Sequence, residues 1–112
     1  MKKALTALVF TGLLSASAAQ AASFDCAKAV NADEKAVCAS RSLSDKDVEM
    51  ATKYQFLRGL FAMGARGAMQ DRQQSWLEQR KLCGSDANCL SQSYKTRIAE
   101  LDDIYQRIDK PL

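Results

Sequence analysis

The sequence predicts an all-α domain, a small disulfide-stapled antiparallel bundle of three longer helices with a short N-terminal helical hairpin. Three observations predict it. Apolar residues recur at helical spacing over most of the chain, and strict apolar/polar alternation nowhere runs long enough for a strand. The only proline is Pro111, next to the end, so nothing interrupts the helical stretches from within. Four cysteines sit where the periodic segments meet, in positions to brace turns.

The first segment is an address. Lys2 and Lys3 are followed by an apolar run from Ala4 to Leu14, broken only by Thr6, Thr11 and Gly12, and then by Ala19-Gln20-Ala21. A basic start, a short apolar stretch and a small-x-small ending make residues 1–21 an export signal with cleavage after Ala21. The alternative, a membrane anchor, needs about 20 apolar residues, and this run is shorter. The domain is then residues 22–112. Of the 16 Lys and Arg residues, two belong to the leader, leaving 14 basic against 13 acidic side chains. That near-neutral balance gives no electrostatic reason to expect nucleic acid or an anionic membrane as partner. No stable membrane insertion is expected after cleavage.

The mature part opens with a turn of helix from about Cys26. Asn31-Ala32-Asp33-Glu34 has the pattern of a capping box and starts a short helix to about Ala39. Ser44 is the expected cap of the next helix, with Asp45 and Asp47 in its first turn against the dipole. Asp47, Met50, Ala51, Tyr54, Leu57 and Phe61 follow at helical spacing, so this helix should run to about Phe61. Gly64 and Gly67 each weaken a helix by about 1 kcal/mol relative to alanine, which predicts a turn or kink there. A third helix should run from about Ala68 to Leu82, with Met69, Gln73, Trp76, Leu77 and Arg80 on one side. The last should start at Asp86 or Ala87. Its stripe of Leu90, Tyr94, Ile98, Leu101, Ile104 or Tyr105, and Ile108 is the cleanest periodic signal in the chain.

An even number of cysteines in an exported chain points to disulfides, with three pairings open. Cys26–Cys38 and Cys83–Cys89 are favoured because each closes a turn between helical segments. Chain entropy assigns about 3 kcal/mol to the first loop and about 2.4 to the second, against about 4 for a long-range bridge such as Cys26–Cys89, so entropy does not choose among them. The Gly and Asp/Asn content of Cys83-Gly84-Ser85-Asp86-Ala87-Asn88-Cys89 suits a tight helix-to-helix turn. Zinc is the competing use of four cysteines, but these spacings miss the usual short ligand pairs.

The order of these pieces resembles the lysozyme-inhibitor LprI-type family of small secreted bacterial domains. The residues that carry the resemblance are Phe24-Asp25-Cys26-Ala27-Lys28-Ala29, Glu34-Lys35-Ala36-Val37-Cys38, Leu43-Ser44-x-x-Asp47 and Tyr54. They continue as Gln73-x-x-Trp76-Leu77-x-x-Arg80-x-x-Cys83 and Cys89-Leu90-x-x-x-Tyr94-x-x-Arg97-Ile98-x-x-Leu101. The resemblance implies a secreted helical domain with disulfides and a founding function of inhibiting lysozyme. The founding type is a lipoprotein. This chain has no cysteine at the cleavage point, which favours a soluble periplasmic form.

The motif residues Trp76, Leu77, Arg80, Tyr94, Arg97 and Leu101 read as structural. A tryptophan on an apolar helical stripe is more often a packing anchor than a ligand platform. Arg80 and Arg97 either cover the core with their stems and pair through their heads with Asp or Glu on neighbouring helices, as ordinary surface ion pairs do, or form a polar constellation in a groove with Gln73 and Asp47. Leu60, Phe61, Met63 and Met69 around the two glycines are more apolar than a solvated turn requires. They either pack on the N-terminal hairpin or form an adaptable contact surface, with Arg66 projecting into a partner. Phe61, Met63, Arg66 and Met69 are therefore the candidate partner-binding residues.

Catalysis has little in its favour. Histidine, the commonest general base, is absent, and there is no Cys-x-x-Cys for thiol exchange. No cofactor or metal is expected. Two functions compete. One is a binding module that blocks a lysozyme cleft with a loop at Met63–Gly67 or Arg41–Asp45. The other is an accessory protein of the envelope that works through a second copy of itself or another envelope protein.

Overall fold

The computed structural model describes residues 21–108. The export-signal expectation thus lies outside the described residues, apart from Ala21. Within them the protein is all-helical with two disulfides, and no strand is present. A 3-10 turn, Cys26–Lys28, precedes α1 (Ala32–Ala39), α2 (Arg41–Leu60), α3 (Met63–Leu82) and α4 (Ala87–Arg107). None of these helices is long and apolar enough to cross a membrane.

Local chemistry accounts for most of the boundaries. Asp25 Oδ1 accepts from the Ala27 amide at 3.0 Å and starts the 3-10 turn. Glu34 reaches back to the Asn31 amide at 3.3 Å, the second arm of a capping box. Asp86 caps α4 by accepting from the amides of Asn88 and Cys89 at 3.0 and 3.1 Å. Gly84 takes a φ of +57°, the left-handed conformation that ends α3 and that glycine reaches without steric cost.

Two boundaries differ from expectation. The second long helix begins at Arg41, not after Ser44. Ser40 is its cap, with its Oγ accepting from the Leu43 amide at 3.2 Å, so one extended residue separates α1 from α2. Ser44 is fully buried and donates to the Val37 carbonyl at 2.6 Å, riveting α2 to α1. The break before the third long helix falls at Phe61 and Ala62, both extended, and α3 starts at Met63 instead of Ala68. Gly64 and Gly67 lie inside its first turns with ordinary negative φ. The Gly64 amide there has no helical partner in any case. Gly67 follows Arg66, whose amide makes the first helical bond to the Ala62 carbonyl, and the half-buried Phe61, packed on the core, turns the chain instead. Both loops proposed for partner contact, Met63–Gly67 and Arg41–Asp45, are therefore helical.

Pairs of touching residues give the helix directions. Asp47 meets Tyr94, Lys53 meets Asp102 and Phe56 meets Tyr105, so α2 and α4 run parallel. Met50 meets Gln73 and Asp47 lies near Arg80, so α3 runs against α2. Trp76 meets Ser93 and Gln73 meets Arg97, so α3 also runs against α4. Between them lie Val37, Leu43, Met50, Leu57, Met69, Trp76, Leu90, Tyr94 and Leu101, all buried, with Leu77 and Ile98 half-buried at the margin. The Trp76 and Tyr94 rings meet edge to face at 5.0 Å, and Trp76 Nε1 donates to the Ser93 carbonyl at 3.1 Å. That geometry makes Trp76 a core anchor.

Both disulfides sit at one end. Cys26–Cys38 ties the 3-10 turn to the end of α1, and Cys83–Cys89 closes the α3–α4 turn. All four cysteines are consumed, so none is left to ligate a metal or exchange thiols.

Candidate functional site

Two features stand out on this scaffold, a buried polar clamp at the disulfide end and an apolar corner at the other. The clamp centres on Arg80. Its Nε donates to Asp33 Oδ2 at 2.8 Å, and its Nη1 donates to the Tyr94 hydroxyl at 3.1 Å and lies 3.7 Å from Asp47 Oδ1. The Tyr94 hydroxyl in turn donates to Asp47 Oδ1 at 2.7 Å. Asp47 Oδ2 accepts from the Ser23 amide and hydroxyl, at 2.7 and 2.5 Å. The guanidinium lies 5.6 Å from the Phe24 ring centre and 5.7 Å from that of Trp76, within cation–π range. All four helices and the N-terminal segment thus converge on one side chain.

Electrostatics fix the protonation of its members. Burial works against the charge on Arg80, but Tyr94 and Asp33 outweigh it and hold the guanidinium above its usual pKa. Burial, followed by the Asp47 carboxylate, pushes the Tyr94 phenol well above its ordinary value. Tyr94 therefore stays a neutral donor at any physiological pH. Both oxygens of Asp47 are engaged. Asp33 Oδ1 is buried without a hydrogen-bond partner among the described residues. The arrangement joins the helices and the N-terminal segment through hydrogen bonds and charge.

A second polar node lies one turn away. Arg97, 1% exposed, donates through Nε to Gln73 Oε1 at 3.0 Å and pairs with Glu100 at 3.0 Å. Gln73 then donates to the Met50 sulfur at 3.0 Å. Arg97 occupies the buried stripe of α4 between Tyr94 and Leu101, whereas Ile98 is only half-buried. Arg80 pairs with Asp33 and approaches Asp47, carboxylates on neighbouring helices as expected, but its head and that of Arg97 are buried and not at the surface; Arg97 takes Gln73 and Glu100. A groove of about 740 Å³ runs past the clamp, lined by Phe24, Met50 and Leu77 together with Glu34, Gln55 and Gln73.

The apolar corner is where α2 hands over to α3. Met63 is 88% exposed, Phe56 57% and Leu60 52%. Arg66 is exposed and donates through Nε to the Arg58 carbonyl at 3.2 Å, bridging the break. Phe61 is half-buried. Met69 belongs to the core and cannot present itself to a partner, because it faces inward one and a half turns into α3. Of the four candidate contact residues, the structure brings Phe61, Met63 and Arg66 together and sets Met69 apart. A hollow of about 190 Å³ next to the corner lies between Phe56, Leu57, Leu101 and Tyr105.

Sequence reasoning missed Asp33, Ser23 and Phe56. Asp33 reads as a first-turn acid at the positive end of a helix, although it lies four residues before buried Val37 on the same face, a signal that it points inward. Ser23 stands in a segment with no periodicity and left no signal. Phe56 falls off the α2 stripe, and that placement is itself the mark of an exposed aromatic. No protein-family model, curated protein or solved structure matches the chain.

Proposed function

We propose that the mature chain is a periplasmic or secreted binding module that inhibits lysozyme by occluding its cleft. The observation that carries the binding part is the corner of Phe56, Leu60 and Met63, large apolar side chains exposed together at the end remote from both disulfides. Solvent gives no reason to keep them there, and a partner does. The lysozyme part rests on the order of the motifs that resemble the LprI-type family. The chemistry of the corner fits such a target. A glycosidase cleft carries two carboxylates, and Arg58 and Arg66 flank the apolar residues that would enter it. With a mature charge near neutral, binding gains little from long-range steering and depends on local fit. The role is non-enzymatic. Two disulfides suit an oxidising compartment.

Purified, oxidised mature protein should slow cell-wall lysis by lysozyme at micromolar concentration or below. Met63→Asp combined with Leu60→Asp should abolish the effect and leave the melting temperature unchanged. No slowing with any of several lysozyme classes rejects the proposal. A second reading is favoured by the hollow beside the corner, which suits an apolar side chain from a second copy or from another envelope protein. Light scattering at high concentration tests the first version, and a strict monomer removes it.

A further inference from the structure

The N-terminal segment enters the protein at an unusual place. Ala21 is exposed, Ala22 is 4% exposed, and Ser23 is pinned to Asp47 through both its amide and its hydroxyl. The bond between Ala21 and Ala22 is also the one predicted for signal cleavage. Its hydrolysis consumes one water and leaves a carboxylate on Ala21 and an α-ammonium on Ala22. Consecutive Cα atoms are about 3.8 Å apart, and the Ser23 amide is 2.7 Å from Asp47 Oδ2. The new ammonium therefore forms within about 6.5 Å of that carboxylate by covalent geometry alone.

The charges around this point are unbalanced. α2 supplies Asp47, α1 supplies Asp33 and Glu34, and the segment itself carries Asp25. α3 supplies Arg80, and α4 supplies the neutral Tyr94. Asp33 and Asp47, both almost fully buried, share one guanidinium, and one oxygen of Asp33 has no partner among the described residues. Buried carboxylates are costly unless paired, so the site calls for a second cation.

We propose that export processing completes the clamp: the α-ammonium freed at Ala22 docks beside Asp47 as the second cation of the Asp33–Arg80–Asp47 cluster. The inference rests on the cleavage reading, and it ties the final stability of the domain to removal of the leader. A precursor carries a neutral amide at the same position and lacks that charge.

Recombinant protein beginning at Ala22 should be compared with the same protein acetylated at its N-terminus. At pH 6 the free form should melt about 3–6 °C higher. The α-amino pKa, followed by NMR with ¹⁵N-alanine, should lie above the ordinary value of about 7.7–8.0. A folded pKa raised in this way gives stability that is complete below the unfolded value and fades as pH climbs through the folded one. The gap between free and acetylated forms should therefore close by about pH 10. In Asp47→Asn the gap should shrink; if that variant does not fold, the NMR titration of the native sequence decides. Equal melting temperatures at pH 6, or an α-amino pKa at or below its ordinary value, overturn the ion pair. Sequencing the N-terminus of exported protein is a separate readout. A start other than Ala22 overturns the processing step whatever the recombinant protein does.

Discussion

Replacing Arg80 with methionine tests whether the clamp holds the four helices together. Methionine keeps most of the stem volume and removes the guanidinium. Three interactions are lost at once: the 2.8 Å charged bond to Asp33, the 3.1 Å bond to Tyr94 and the 3.7 Å approach to Asp47. Their gross strength matters less than what remains. Asp33 and Asp47 are 2% and 1% exposed and would stay buried without the guanidinium, Asp33 with no cation beside it. Breaking a buried pair from one side costs about 3–5 kcal/mol for this reason. Domains of 60–100 residues lose about 4–8 °C of melting temperature per kcal/mol, so Arg80→Met should lower it by at least 12 °C or so. Thermal and chemical denaturation followed by far-ultraviolet circular dichroism measure this directly. Arg80→Lys keeps the charge but cannot serve three partners from a planar fork, and should fall between the wild type and Arg80→Met.

The double variant Arg80→Met with Asp33→Asn separates charge from packing. Neutralising Asp33 in the wild type breaks the 2.8 Å bond and destabilises. Neutralising it in the Arg80→Met background removes a stranded charge and should recover about 1–2 kcal/mol relative to the single Arg80→Met variant. Strict additivity of the two substitutions, or a cost for Arg80→Met below about 1 kcal/mol, would refute the clamp and place Arg80 among ordinary surface pairs.

Three further outcomes are expected. Replacing Cys26 and Cys38 by serine should cost about 3 kcal/mol and replacing Cys83 and Cys89 about 2.4, the longer loop contributing more through the logarithm of its length, as read from denaturation midpoints. Gly64→Ala and Gly67→Ala should each stabilise by up to about 1 kcal/mol, because an added Cβ meets nothing within 4 Å at either site. Gly84→Ala should destabilise by about 1 kcal/mol because φ is +57° there. Finally, the Tyr94 phenol is held above its ordinary value, so above about pH 10 the unfolded chain loses a proton that the folded chain keeps, and stability falls with rising pH. Tyr94→Phe should cost about 1–3 kcal/mol at neutral pH and remove that part of the alkaline decline. A wild type and a Phe variant with parallel stability curves between about pH 9 and pH 11 would count against the buried phenol.

The helices were legible because their chemistry is local. The α4 stripe, the start of that helix at Asp86 or Ala87 and the Glu34 reach-back each need only neighbours within about four residues. The two misplaced boundaries depended on distant partners. Ser44 has the features of a cap, and only the Val37 carbonyl behind it shows why it is buried instead. Gly64 and Gly67 weaken a helix wherever they stand, but the position of the break was set by Phe61 finding the core, which no local pattern carries. The site shows the same division. Arg80, Tyr94 and Arg97 were visible as polar residues at helical spacing beside or within apolar stripes. Asp33 and Ser23, which come to Arg80 and Asp47 from 47 and 24 residues away, were not.

The division of labour between the two ends follows from the same distances. Both disulfides, α1 and the Arg80 clamp gather at the end where α2 starts, α3 finishes and α4 starts. The exposed Phe56, Leu60 and Met63 lie at the other end, where the α2–α3 break is the only turn among the described residues. Cross-links and buried charges make the first end costly to alter, since each substitution there strands a partner. At the corner the side chains already face solvent, so changing them strands nothing in the fold. A surface arranged this way can be altered to suit a partner while the clamp keeps the body rigid. Substitutions that change binding and substitutions that change stability should accordingly separate along α2, with Tyr54 and Leu57 at the point where one kind gives way to the other.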